Sequence, residues 1–274
     1  KRYAHLTPEQ VRAHCEVEGQ LRRYLLGAPR ERRKEVFLWA YDELFRRCPW
    51  HPALTETSGA EAEHLIENRA KIFSRLLRCG SGSRILEVGC GMGELLLGLA
   101  RQGYRCVGID ISATRIERLQ AWQGPNLCFQ QADGTELPFG DGDFDAAISM
   151  QLFEHLHPDD ALEHLKEVNR VLKPGGRYLL ETPNKWVGPG DVSRFFCEKP
   201  EGFHLREYSV CEMVRLFRRA GYERIRVVRW RWNSLGAGLA VLLEACWRLL
   251  PKRVRRKRGL GLHNPLYVAE TPLR

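Results

Sequence analysis

The sequence predicts an α/β fold, a mostly parallel β-sheet covered on both faces by helices and preceded by a helical segment. Three observations predict it. From Arg84 onward, short β-rich runs alternate with helical ones at the spacing of βαβ units. The first such run, RILEVGCGMGELLLGLA (84–100), closes on a carboxylate and three alternate glycines before a new helical pattern opens. Before it, residues 1–80 carry helical patterns alone. With 274 residues, 43% of them hydrophobic, the chain can bury one large core.

Taken in order, Thr7-Pro8-Glu9-Gln10 supplies an N-cap, a proline at the first helical position and a capping-box Gln. That helix should stop near Gly27-Ala28-Pro29. A second runs from about Glu31 to Cys48, with Val36, Phe37, Ala40, Tyr41, Leu44 and Phe45 on one face. Ser58-Gly59-Ala60-Glu61 is another capping-box pattern and opens a third helix. Residues 1–80 are therefore expected to form a helical extension that lids a cleft in the domain spanning 81–274. Strands are expected at 84–88, 105–110, 126–130, 144–149, 177–182, 224–232 and 265–270. Helices are expected at about 93–102, 112–122, 159–171 and 208–220. Two stretches, 183–207 and 233–264, exceed ordinary connections and read as insertions.

The nine cysteines are odd in number and form no C-x-x-C pair, so neither a disulfide framework nor a zinc site is expected. The chain begins at Lys1 without a signal-peptide pattern, and no run approaches the ~20 apolar residues of a membrane span. A cytoplasmic location is expected, with peripheral membrane contact kept open by the charge pattern. The net charge of +9 is concentrated: Arg248, Lys252, Arg253, Arg255, Arg256, Lys257 and Arg258 follow one another closely, and the rest is nearly balanced.

The glycine turn narrows the ligand. A dinucleotide fingerprint needs a third small residue where this chain has Glu94, and the Gly-Lys-Ser/Thr of a phosphate loop is absent. Glu87-Val88-Gly89-Cys90-Gly91-Met92-Gly93 instead resembles the first motif of class I S-adenosylmethionine-dependent methyltransferases, [VIL]-L-[DE]-x-G-x-G-x-G. The resemblance implies a Rossmann-like sheet of seven strands, mostly parallel with the last antiparallel. It also implies S-adenosyl-L-methionine as cofactor and S-adenosyl-L-homocysteine as product. Glu87 would hold the cationic amino group, and the backbone of Gly89, Cys90, Gly91 and Gly93 would approach the ligand. Asp110, at the end of the second strand, would accept the ribose hydroxyls, with Ile111 against the adenine face. In QQADGTELPF, Asp133 would accept the adenine amino group, while Gly134 and Leu137 border the ring. FDAAISMQLFEHL matches the family's F-D-x-V-x-S…E-H-L and sets Gln151 at the mouth of the cleft. Arg69, on the helix before the first strand, would reach the cofactor carboxylate. Singly, each residue has an ordinary structural reading. Jointly, in one order, they point to one ligand.

Methyl transfer from a sulfonium is an in-line displacement, and a hydroxyl acceptor needs a general base within hydrogen-bond reach. The candidates are His204 and His155, with His157 after them. The segment ETPNKWVGPGDVSRFFCEKPEGFHLREYS (181–209) carries aromatics with polar tips and reads as an acceptor loop. Plainer roles stand beside these: Tyr208-Ser209 with Glu212 as a helix cap, and Asp159-Asp160 at a helix N-terminus. No metal-ligand spacing stands out. The expected function is methylation of a small or medium acceptor, a hydroxyl on a sugar, polyketide or lipid-linked intermediate. Two alternatives stay open, an RNA methyltransferase using the basic segment and a non-catalytic S-adenosylmethionine-binding regulatory or scaffold protein. For 233–264, an apolar helix beside a cationic run suits peripheral membrane contact or a homodimer contact. Nucleic acid ranks behind both, because the cluster lacks interleaved aromatics and the N/D-P-P-Y/F motif of base-amino methyltransferases is absent.

Overall fold

The computed structural model describes residues 3, 5–51, 60–228, 234–251, 254 and 263–273. In chain order the elements are α1 (Pro8–Gly27), α2 (Arg33–Arg47), α3 (Ala60–Leu77), β1 (Arg84–Val88), α4 (Glu94–Arg101), β2 (Arg105–Asp110) and α5 (Ala113–Leu119). There follow β3 (Leu127–Gln131), β4 (Phe144–Met150), α6 (Ala161–Val171), β5 (Leu172–Glu181), α7 (Val210–Arg219), β6 (Arg224–Val228), β7 (Ser234–Gly236), α8 (Ala237–Arg248) and β8 (Leu266–Glu270). Two of the expected capping boxes form. Thr7 pairs with Gln10 at the start of α1, and Ser209 pairs with Glu212 at the start of α7.

The sheet order is β3-β2-β1-β4-β5-β8-β6-β7. β1 lies between β2 and β4, parallel to both, so the winding reverses there and opens a crevice beyond the strand ends. β8 runs antiparallel to β5 and β6. The sheet has eight strands rather than the seven expected. The extra one, β7, pairs with β6 and is three residues long, too short for a period of two to show in sequence. β5 starts at Leu172 rather than at 177: Leu172 pairs with Phe144 and Arg177 with Ala146, so Lys173-Pro174-Gly175-Gly176, which reads as a turn, is taken up as an irregularity in the pairing with β4. The Ser58-Gly59 cap, the end of the 224–232 strand and the basic residues 252, 253 and 255–258 lie outside the described residues.

Apolar burial divides the helices into two groups. α3 belongs with the sheet: Phe73 and Leu77 pack with Leu96 and Leu99 of α4 on one face. Gly98 permits this approach, since a Cβ there would lie 2.7 Å from the Ala70 Cβ. α1 and α2 instead make their own core with the 183–207 insertion, burying Leu21, Leu25, Ala40 and Leu44 against Phe203 and Leu205. Polar contacts pin this roof down. Arg22 donates to the carbonyls of Gly202, His204 and Leu205 at 3.2, 2.5 and 2.9 Å. Arg33 of α2 pairs with Asp159 at 3.0 Å and with Asp160 ahead of α6. The two acids thus hold the roof to the sheet domain as well as fronting a helix.

Candidate active site

Between the carboxyl ends of β1, β2 and β4 and the roof lies a cavity of about 950 Å³. Its floor is the glycine turn. Gly89, Gly91 and Gly93 have φ of +74°, +54° and +71°, where a side chain costs about 1–2 kcal/mol per residue. Each serves a different contact. At Gly89 the chain bends so that its N–H and that of Cys90 donate to the Ile109 carbonyl at 2.8 and 2.9 Å. At Gly93 a Cβ would meet the Phe129 ring at 2.8 Å, so bare backbone lets α4 settle on the sheet. At Gly91, apart from the adjoining residues, nothing lies within 4 Å of where a Cβ would be. That opening is space for a ligand. Gly89 and Gly91 line the cavity, whereas Glu87, Cys90 and Gly93 lie behind it.

Glu87, the penultimate residue of β1, has 4% of its surface exposed, and its Oε2 has no hydrogen-bond partner. Burial pushes its pKa up to about 8, opposed by the Arg69 charge and reinforced by Asp110 and Glu94. Such a carboxylate gains most from a cation placed against it. Arg69 is itself exposed on α3, with its guanidinium 6.0 Å from the Phe73 ring centre. It acts on Glu87 through charge and does not line the cavity.

Asp110 is buried, and its oxygens accept from Gly91 N–H at 3.1 Å, Ser112 N–H at 3.0 Å and Arg115 at 3.3 Å. A carboxylate has about four acceptor sites, so both ribose hydroxyls fit only if Arg115 yields one. Arg115 is held from above, 5.4 Å from the Tyr41 ring centre and 5.7 Å from that of Phe45, both on α2. The roof therefore closes directly over Arg115 and Asp110. Ile111, Asp133, Gly134 and Gln151 line the same cavity. Asp133 uses Oδ1 for Thr135 and leaves Oδ2 for another donor. Leu137, expected beside the adenine, is instead in the core, because its N–H is drawn to Glu167. Gln151 has φ of 55°, and its amide donates to Glu181 at 2.9 Å.

Histidines and carboxylates form another wall. His204, 3% exposed, donates from Nδ1 to Glu207 at 2.7 Å, which leaves Nε2 as its basic nitrogen. Nε2 lies 3.9 Å from Glu154 Oε1, an oxygen with no hydrogen-bond partner. Burial opposes charging of His204, but the Glu207 hydrogen bond and the charges of Glu154, Asp191 and Glu207 outweigh it and raise its pKa above 6.5. Glu154 is pushed up to about 7 by burial, against the pull of His204 and of the Thr182 hydroxyl. His155 stands edge-on to His204 at 4.9 Å and donates from Nδ1 to the Phe203 carbonyl at 2.9 Å. His157 lies at the cavity edge, with Nε2 3.3 Å from the Leu26 carbonyl.

The fold also gathers donor sets that spacing does not reveal. Glu154, His155 and His204 form one, and His14, Glu18 and His51 another, with ligand atoms inside 4.8 Å of one another in each. In the second, His14 Nε2 and Glu18 share a 2.8 Å hydrogen bond, and Glu18 and His51 face the cavity. Sequence reasoning missed Arg115, Glu18, Glu154 and Glu207 as members of the site. Glu207 had a signal, standing three residues after His204 in HLREYS.

The residues fit a sulfonium nucleoside. Glu87 is a buried acid short of a counter-charge, Gly91 opens onto space, and Asp110 and Asp133 keep acceptor capacity at the rim. A pyrophosphate would meet the Asp110 carboxylate as a like charge and would give the buried Glu87 no counter-charge.

Residues 85–176 match the family model described as a methyltransferase domain. A probable S-adenosylmethionine-dependent methyltransferase of Mycolicibacterium smegmatis is 30% identical over 168 residues, 60% of this chain and 61% of that one. An O-methyltransferase of Aspergillus sclerotiorum is 36% identical over 130 residues, 45% of this chain and 48% of that one. An uncharacterized methyltransferase of Synechocystis is 31% identical over 160 residues, 54% and 69% of the two chains. The matched stretch thus spans 48% to 69% of the length of these relatives. In fold, the chain is similar to a Burkholderia thailandensis 1,6-didemethyltoxoflavin N1-methyltransferase solved with S-adenosylhomocysteine. The TM-score is 0.55 at 20% identity, over 90% of this chain and 92% of that one.

Proposed function

We propose a reaction that follows from the family: this chain belongs to the class I S-adenosylmethionine-dependent methyltransferases, and the group it methylates is a hydroxyl on a small or medium acceptor. One observation carries the hydroxyl. A histidine oriented by a carboxylate, His204 on Glu207, stands in the wall of the cavity whose floor is the glycine turn. Relatives described as O-methyltransferases support the same choice. A sugar, polyketide or lipid-linked intermediate remains the acceptor class we favour.

When bound, S-adenosylmethionine supplies an electrophilic methyl group. Glu87 would hold its amino group, Gly89 and Gly91 would leave room for its tail, and Asp110, Ile111, Asp133 and Gly134 would border its nucleoside. An alcohol is a poor nucleophile until it loses its proton, and His204 Nε2 would receive that proton. Glu207 fixes the ring and stabilises the imidazolium that forms. Asp191 and His155 complete the polar wall, with Glu154 buried behind His204, while Phe37, Tyr41, Leu44 and Phe203 exclude water from above. Acceptors incubated with the purified protein and cofactor should gain ~14 Da, the mass of a methyl group replacing a proton. Mass gain confined to amines or carboxylates would remove the hydroxyl reading.

Glu87 makes a separate prediction. With a pKa near 8 it is largely protonated at pH 7, and a cationic amino group beside it restores the charged form. Cofactor binding should therefore release about one proton at pH 7, seen as a calorimetric enthalpy that changes with the buffer. The sign follows: affinity rises as pH climbs toward about 8 and falls again where the cofactor's own amino group loses its proton. Glu87→Gln should abolish the proton release and the rise, and a buffer-independent enthalpy in the wild type would contradict this role.

A further inference from the structure

Helix α8 is seated through Ala240, Glu244 and Trp247 and leaves a stripe of leucines outside. Its buried positions are Ala240, Glu244 and Trp247, while Leu239, Leu242, Cys246, Leu249 and Leu250 are exposed, Leu249 to 86%. The buried Glu244 accepts from Asn184 at 2.9 Å and from the Val210 and Cys211 N–H groups at 2.7 and 3.2 Å, so it caps α7. Arg248 lies over the Trp186 ring, 4.0 Å from its centre. These contacts seat α8 on the body of the protein. The leucine stripe plays no part in them and is available to a partner.

Charge decides which partner. The sequence from Arg248 to Arg258 holds seven cations and no acid. On α7, packed beside α8, Arg215, Arg218 and Arg219 are exposed, with no carboxylate partner among the described residues. A symmetric dimer through α8 would gather in one interface two copies of a chain stretch that carries seven cations and no acid, which repel. An anionic bilayer neutralises the same run and takes up the leucines at its acyl boundary. Among the described residues no helix is long and apolar enough to cross a membrane, so α8 would lie in the surface plane.

We propose that α8 docks this protein on an anionic lipid surface, with Leu239, Leu242 and Leu249 entering the bilayer and the neighbouring cations set among its headgroups. Asn184 and Trp186, which touch α8, open the insertion that carries His204 to the cavity wall. The docked face and the acceptor loop are therefore joined. This inference does not rest on the acceptor being a hydroxyl, since lipid binding is read without turnover.

Flotation of the full chain with vesicles of phosphatidylcholine, alone or mixed with phosphatidylglycerol, tests it. The protein should float only with the anionic vesicles and detach as salt is raised. Leu242→Glu and Leu249→Glu, both at exposed positions, should weaken partitioning at least about tenfold with melting temperature and cofactor binding unchanged. Reversing Arg253, Arg255 and Arg256 to Glu should remove the preference for anionic lipid. Three results would overturn the proposal: no flotation, flotation indifferent to Leu242→Glu, or a dimer in sedimentation that Leu242→Glu dissociates without any lipid binding.

Discussion

Gly91→Val should abolish cofactor binding while leaving the fold standing. At this position φ is +54° and, apart from the adjoining residues, no atom lies within 4 Å of where a Cβ would stand, so the first side-chain carbon enters open space rather than the core. The folding cost is the left-handed backbone of a β-branched residue, about 1–2 kcal/mol, a modest fall in melting temperature. The side chain then projects into the opening above the turn. Affinity for S-adenosylhomocysteine in a calorimetric titration should fall at least about 100-fold, roughly 2.7 kcal/mol or more by the usual conversion. Gly93→Val makes the contrast, since its Cβ would strike Phe129 and Leu119 at 2.8 and 2.9 Å and the damage falls on folding itself. Cofactor affinity retained in Gly91→Val would mean that the opening does not receive the ligand.

The second large effect concerns the base. His204→Ala should lower kcat by ~10²–10⁴-fold and leave cofactor affinity near that of the wild type. Because His204 accepts a proton only when neutral, the rate should rise with pH through its raised pKa, above 6.5. Glu207 helps to hold that pKa up. Removing its charge in Glu207→Gln should move the ascending limb toward acid. A residue that merely propped the loop would lower the rate at every pH and leave the limb in place. Glu207 is thus tested as a positioning residue, and His204 as the group that touches the acceptor.

The cofactor end was legible because its signal is local. An acid, three alternate glycines and a following helix are contiguous in sequence, and Asp110 and Asp133 come at the ends of the next two strands. The roof was legible only as helices. Phe37, Tyr41 and Leu44 read as one apolar face with Ala40, yet the structure divides that face between a buried core and the cavity. Arg115 carries no signal in the sequence: its partners, Tyr41 and Asp110, come from other elements, and Tyr41 is far away in sequence. The same holds for the histidine wall. His204 and Glu207 are neighbours on the chain, but Glu154 and Asp191 join them only through tertiary structure. A second class of miss is polarity reversed, as at α8, where a buried glutamate is the anchor and leucines are the surface.

A crystal structure with S-adenosylhomocysteine bound tests most directly the claim that one cavity joins the nucleoside to the histidine wall. The adenosine should lie between Asp110, Ile111 and Asp133, with the amino group against Glu87 and the sulfur opening toward His204. A ligand seated elsewhere, or a sulfur turned away from that wall, would contradict it.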